Sequence, residues 1–411
     1  MTNFYSLILT IFACFNQLYP EMTRIAFIHN RFPAGGAERI TIDIASYLSG
    51  FGKYVVFVYA SRIAEHMLSD SIRSVITVRN IPTQAVPSKR AKEIERLIMQ
   101  DGIDILVQVT KAIPGIAEIV ERTGVKTVVA CHGEPFWQRH AIVYRRQKGT
   151  LRKILWKLYN KRRYKDGTLA MKKAVSRTMR EYNSCDAYTV LCESYKRETA
   201  ATLGLNPDTS HIYAIENPEY PVHDVNYDKE KIVLFCGRFE NWSKRIDRLL
   251  RIWEKAQDRM PDWKLVLVGD GENWNMLTKM ADQMHLKRVE FEGHRTNVKD
   301  YYRRASVVAL TSQTEGWPLA LTEAQAQGCV AIAFDCTSGI KEVLAHDKGC
   351  GVVVSSFDED RYADELVKLS RMSDEEMMTI RKNAVKKSRL YAPEIIAEKW
   401  KVLFDSLHSD K

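Results

Sequence analysis

The stretch Ser306-Val307-Val308-Ala309-Leu310-Thr311, followed two residues later by Thr314-Glu315-Gly316-Trp317-Pro318-Leu319-Ala320-Leu321-Thr322-Glu323, decides how this chain folds. Residues 306–311 are an apolar run of strand length. Residues 318–327 carry a helical pattern, with Pro318 at the first helical position, where a missing N–H costs nothing. A strand feeding a helix through a short loop is half of a βαβ unit. The same half-unit recurs on both sides. Strand runs fall at 231–236, 264–269, 289–292, 329–334 and 351–354, and helical patterns at 245–259, 272–285, 297–304 and 338–345. The earlier half repeats the scheme, with strands at 24–30, 54–60, 104–110, 126–131 and 187–191 and helices at 37–48 and 88–100. Alternation on this scale predicts parallel sheets covered on both faces. The expected class is α/β, with two doubly wound Rossmann-like domains facing across a cleft.

Two prolines in Glu216-Asn217-Pro218-Glu219-Tyr220-Pro221 interrupt any regular element and place the break between the halves. The expected layout is a first domain over 22–217 and a second over 218–390. Three helices, 359–371, 374–388 and 393–408, end the chain, and 391–411 is set apart as a terminal helical segment. Residues 1–21 carry one acidic residue at their very end and are otherwise uncharged. Their apolar run from Phe4 to Phe15 is short for a membrane span and lacks the basic start of a secretory signal. This leader is expected to lie outside the fold.

The 411 residues, 45% of them hydrophobic, suffice for two buried cores. None of the eight cysteines forms a CxxC pair, so they read as small buried hydrophobes in a reducing compartment. The net charge of +10 is local. Between Arg139 and Arg180 fifteen Lys and Arg face one acid, Asp166, a net +14 that leaves −4 for the rest. The segment 139–183 is expected to be a helical insertion in the first domain. Leu151, Ile154, Leu155, Leu158 and Tyr159 share one face, with Arg145, Arg146, Arg152, Lys153, Trp156, Lys157, Lys161, Arg162 and Arg163 around them. A basic amphipathic helix of this kind suits an anionic membrane surface; the plainer alternative is a solvated helical face.

In open parallel sheets ligands bind beyond the carboxyl ends of the strands. Four motifs lie there. Gly35-Gly36 follows the first strand and opens a helix, whose free N–H groups suit an anion. Gly237-Arg238, with Lys244 six residues on, sets a guanidinium and an ammonium in one loop, a pairing suited to a diphosphate. Glu315 and Glu323 are separated by seven residues, one before a helix and one in its second turn, and Gly316 keeps that loop open to a ligand. His132-Gly133-Glu134 follows the fourth strand, where a catalytic histidine could contact phosphate or sugar from the opposite wall; a turn histidine is the plainer reading.

Taken together, these residues resemble the retaining glycosyltransferases of the GT-B fold, and within them family 4. The match runs in order through Gly35-Gly36, Gly237-Arg238 with Lys244, and Glu315 with Glu323, and covers the chain from Met22 onward. The resemblance implies that Arg238 and Lys244 hold the donor diphosphate. It implies further that Glu323 takes the ribose, Glu315 lies by the sugar, and the backbone from Gly316 through Trp317 and Pro318 to Leu319 meets phosphate and hexose. It places His294 and Arg295 at the nucleotide base. It also implies that the last helix crosses back onto the first domain. Two residues depart from the family pattern: Arg245, where Gly commonly follows the lysine, and the aromatic Trp317.

The implied activity is metal-independent transfer, with retention, of a hexose or N-acetylhexosamine. The donor is a nucleotide sugar, with UDP the commoner family nucleotide, and no further cofactor is implied. The acceptor is lipid-linked or a saccharide, the setting is bacterial surface glycan synthesis (lipopolysaccharide, capsule or exopolysaccharide), and the place is the inner face of the cytoplasmic membrane. An epimerase or hydrolase of the same build is the alternative. A nucleic-acid partner is not expected, because no reading module accompanies the basic run.

Overall fold

The computed structural model describes residues 22–33, 35–83, 87–110, 112–139, 168–240 and 242–409. The basic residues from Arg145 to Arg163 expected to meet a membrane lie outside them, as does the leader. Among the described residues, no helix is long and apolar enough to cross a membrane.

Two parallel sheets organise the chain. The first holds β1 (Thr23–His29), β2 (Tyr54–Ala60), β3 (Ile76–Asn80), β4 (Ile105–Val109), β5 (Lys126–Ala130), β6 (Ala187–Val190) and β7 (Ile212–Ala214). Its order is β3-β2-β1-β4-β5-β6-β7. The second holds β8 (Glu230–Cys236), β9 (Lys264–Val268), β10 (Val289–Gly293), β11 (Ala305–Leu310), β12 (Val330–Phe334) and β13 (Val352–Val354), in the order β10-β9-β8-β11-β12-β13. In each sheet the chain runs outward one way from the first strand and then returns to its other side. That makes a topological switch point between β1 and β4, and another between β8 and β11.

Burial on both faces explains the continuous apolar runs. In β1, Ile25 and Phe27 face Ile396, Trp400 and Phe404 of the last helix, Pro393–Ser409. Ala26 and Ile28 face Ile94, Leu97 and Ile98 of helix Pro87–Asp101. The last helix therefore lies on the first sheet, with Phe27 and Trp400 edge to face at 6.4 Å. Burying each such side chain contributes about 2 kcal/mol. Polar ties hold it as well: Lys399 pairs with Glu216 at 2.5 Å and Lys53 with Asp405 at 2.8 Å. The two preceding helices start on side-chain caps, Asp358 for Glu359–Arg371 and a Ser373–Glu376 capping box for Asp374–Ser388.

Two strands were not expected. β3 shows a mixed burial pattern and β7 has three residues, and both are sheet edges. Pro318 precedes its helix, which runs Leu319–Ala326, and does not occupy the first turn. The helix Thr168–Asn183 is the described part of the basic insertion.

Candidate active site at the second switch point

The loops leaving β8 and β11 converge above the second sheet. Gly237 turns with a φ of 157°, and its N–H donates to Val268 O at 3.0 Å. The loop that follows carries Arg238, whose side chain is 80% exposed with Glu240 its ion-pair neighbour at 3.4 Å. Lys244 turns inward, and its Nζ meets Glu315 Oε1 at 2.7 Å. Lys244 is 21% exposed and Glu315 8%, so this ion pair is largely dry. Ser312 Oγ donates to the same carboxylate oxygen. A buried pair persists only when its remaining valences are met, and Ser312 meets one. Arg245 next to it sits in the left-handed region, φ 49° and ψ 49°, where glycine is at ease. A bidentate pair with Asp247, 2.9 Å on each arm, holds it there.

The first domain closes over Glu315. Tyr195 Oη donates to the Glu315 carbonyl at 3.0 Å, and Thr337 Oγ1 at 3.3 Å. Glu342 accepts from the N–H groups of Glu193 and Ser194, at the start of helix Glu193–Leu203. Gly316 carries a structural job at the domain contact. A Cβ there would lie 2.6 Å from the His132 carbonyl oxygen and 3.0 Å from Gly133 Cα, so its bare backbone lets the two domains touch. Burial pushes His132 down to about 4, with the neighbouring His29 adding to the effect, so the ring is neutral at pH 7. Its Nδ1 is buried without a hydrogen-bond partner among the described residues.

Glu323 belongs to a second cluster on the same helix. Burial raises its carboxyl above the ordinary range, while the Tyr302 hydroxyl, Arg39 and Lys299 pull it back. Beside it is Glu219, which accepts from Thr322 Oγ1 at 3.0 Å. Burial and the nearby Glu323 charge push Glu219 up to about 7, against Thr322 and Arg39. Glu219, Arg39 and Tyr195 were missed from the sequence. Glu219 lies in the proline-bounded break, whose sequence reads as a boundary alone, while Arg39 and Tyr195 carry no local signal.

Other expected site residues are scattered. Trp317 is buried, its ring edge-on to Tyr391 at 5.1 Å, so its indole packs beneath the loop and does not face an open sugar site. Leu319 opens the helix and is half-buried. His294 is exposed at the end of β10, and Arg295 pairs with Glu292 at 2.9 Å. Gly35 caps helix Gly36–Gly50 with φ 134°, and the Glu38 carboxylate occupies the space a Cβ would fill. That loop faces the first switch point. Among the described residues, no cluster of three or more His, Cys, Asp or Glu could hold a metal ion.

Two facing Rossmann-like sheets, with a cation–carboxylate pair at the second switch point, define the GT-B glycosyltransferase fold. Residues 217–387, within the second domain, match the family model for glycosyl transferases group 1. An uncharacterized glycosyltransferase of Haemophilus influenzae is 26% identical over 328 residues, 78% of this chain and 82% of that one. The amylovoran biosynthesis glycosyltransferase AmsD of Erwinia amylovora is 34% identical over 186 residues, 45% of this chain and 51% of its own. Among solved structures, Anabaena HepE in complex with UDP and glucose superposes with a TM-score of 0.70 at 16% identity, covering 93% of this chain and all of HepE (100%). At that identity the likeness is one of fold.

Proposed function

We propose that this protein is a retaining glycosyltransferase that moves a hexose or N-acetylhexosamine from a UDP-linked donor to a lipid-linked or saccharide acceptor in bacterial surface glycan synthesis. The observation that carries the reading is the Lys244–Glu315 pair at 2.7 Å, set where the β8 and β11 loops meet. The group 1 match over that domain, the amylovoran role in the name of AmsD and the UDP bound by HepE support it.

On this reading the donor diphosphate lies against Arg238 and Lys244. As the glycosidic bond breaks, negative charge builds on the departing diphosphate, and two cations in a partly dehydrated cleft stabilise it. The Lys244–Glu315 contact sets the carboxylate beside the sugar while the ammonium serves the phosphate. Glu323 accepts from the ribose hydroxyls. Retention follows if the acceptor hydroxyl attacks from the face the diphosphate leaves, with the diphosphate taking its proton. The cationic pair supplies charge compensation without calling on a metal. Docking on an anionic membrane through residues 139–183 is part of the same proposal, and liposome co-sedimentation with and without anionic lipid tests it.

A panel of nucleotide diphosphates tested for protection against thermal unfolding examines the donor assignment, since a bound ligand raises stability by mass action. UDP is expected to protect most. Glu323→Ala should weaken UDP protection by roughly tenfold in affinity, about 1.4 kcal/mol. Equal protection in that variant would remove Glu323 from the ribose site.

A further inference from the structure

The first switch point, between β1 and β4, opens into a cavity of about 540 Å³. Ile28 and Ile113 give it apolar wall, and His29, Glu38, Arg90 and Arg177 give it polar wall. A pocket of this size is ample for one or two sugar units. Its backbone is strained at one point, since Thr110 holds φ 77° at the end of β4.

The charges on the wall do not balance. Glu38 lies 3.7 Å from His29 Nδ1, while His29 Nε2 is fixed by Thr41 Oγ1 at 2.9 Å. Arg177 has Glu181 at 3.0 Å. Arg90 has no such partner among the described residues. It is 4% exposed, and its Nη1 donates to Ser61 Oγ and, at 3.0 Å, to the Pro82 carbonyl, both neutral. The acids nearest it in sequence, Glu93 and Glu95, are taken by Arg96 and Arg122. Among the described residues no carboxylate pairs with Arg90, and burial alone depresses its guanidinium. A cation taken out of water without a counter-ion is costly, and a fork-shaped one is shaped for an oxyanion.

We propose that this cavity receives the acceptor, and that Arg90 binds an oxyanion on it, so that the acceptor is an anionic saccharide bearing phosphate or carboxylate. The inference rests on the transferase reading above for the word acceptor, and on Arg90 alone for the anion. The neutral bonds to Ser61 and Pro82 hold the guanidinium in place before the ligand arrives, which lowers the cost of ordering it on binding. The Ile28 and Ile113 side chains supply apolar surface for the carbon face of a sugar ring.

The test is calorimetric titration of a hexose 1-phosphate, a hexuronic acid and a neutral methyl hexoside into the full chain saturated with UDP, so that the donor site is occupied. The UDP step is read first, and its failure would sink the donor assignment while leaving the three sugar arms readable on the bare protein. The expected result is at least tenfold tighter binding of one anionic sugar than of the neutral one. Whichever arm binds names phosphate or carboxylate. Arg90→Gln should erase that preference with UDP affinity unchanged. Ala112→Trp, which fills the cavity and leaves Arg90 intact, should block the anionic sugar and decides the matter should Arg90→Gln fail to fold. Equal affinity for neutral and anionic sugars, or a preference that survives both variants, overturns the proposal.

Discussion

The two switch points share one topology and differ in how they treat charge. At the second, the half-buried Lys244 pairs with the buried Glu315, Ser312 donates to the same carboxylate, and a bare glycine lets the other domain close on the loop. At the first, Arg90 is buried against neutral groups and the cavity stays open. A fold that puts a crevice at the same place twice thus carries a preformed ion pair on one side and an unneutralised cation on the other. The lesson is that topology fixes where ligands go, and the balance of buried charge says what kind each side awaits.

The largest effect is expected at Lys244. Lys244→Met leaves the Glu315 carboxylate buried without its cation, at a cost of about 3 kcal/mol. On the proposed donor assignment it also takes a cation away from the departing diphosphate, so transfer should fall by roughly a hundredfold or more. Urea unfolding and initial rates measure the two effects, and a variant as stable and active as the parent would show the pair to be ornamental.

Gly316→Ala asks whether the contact between the domains matters. Its Cβ would meet the His132 carbonyl, which is backbone and cannot rotate away. A cost of about 1–3 kcal/mol is expected, read as a lower thermal midpoint together with slower transfer. An unchanged midpoint would mean that the domains sit farther apart in solution.

The smallest effect belongs to Glu219. Its folded pKa, about 7, lies above its ordinary 4.5. The folded state therefore holds a proton that the unfolded chain releases, and this stability is full below 4.5 and lost as pH rises through about 7. Urea midpoints of the parent should drop more between pH 5 and 8 than those of Glu219→Gln. Identical slopes would place Glu219 in water and leave Glu323 without a carboxylate neighbour.

Most strands were legible because central parallel strands are buried on both faces and read as unbroken apolar runs. The misses, β3 and β7, are edges where one side is wet or the strand is short. Lys244 and Glu315 were legible because each sits just after a strand, a position the pattern itself marks. Arg90, Arg39, Tyr195 and Glu219 were not, since their significance comes from what lies across a loop or a cleft, and no local spacing records it. Gly316 was legible as a special glycine, and the structure adds a neighbour that the sequence does not record, the His132 carbonyl in the other domain. Arg245 stands where glycine would be expected from its backbone, and only the structure shows Asp247 holding it.

The central claim is that the second domain grips a nucleotide diphosphate through the loop after β8. Arg238 offers the cleanest probe, because its largely exposed side chain can be removed with little risk to folding. Calorimetric titration of UDP into Arg238→Ala should give an affinity lower than the parent by roughly tenfold or more, from the loss of charge-assisted hydrogen bonds to phosphate. An affinity equal to that of the parent would contradict the account at its root.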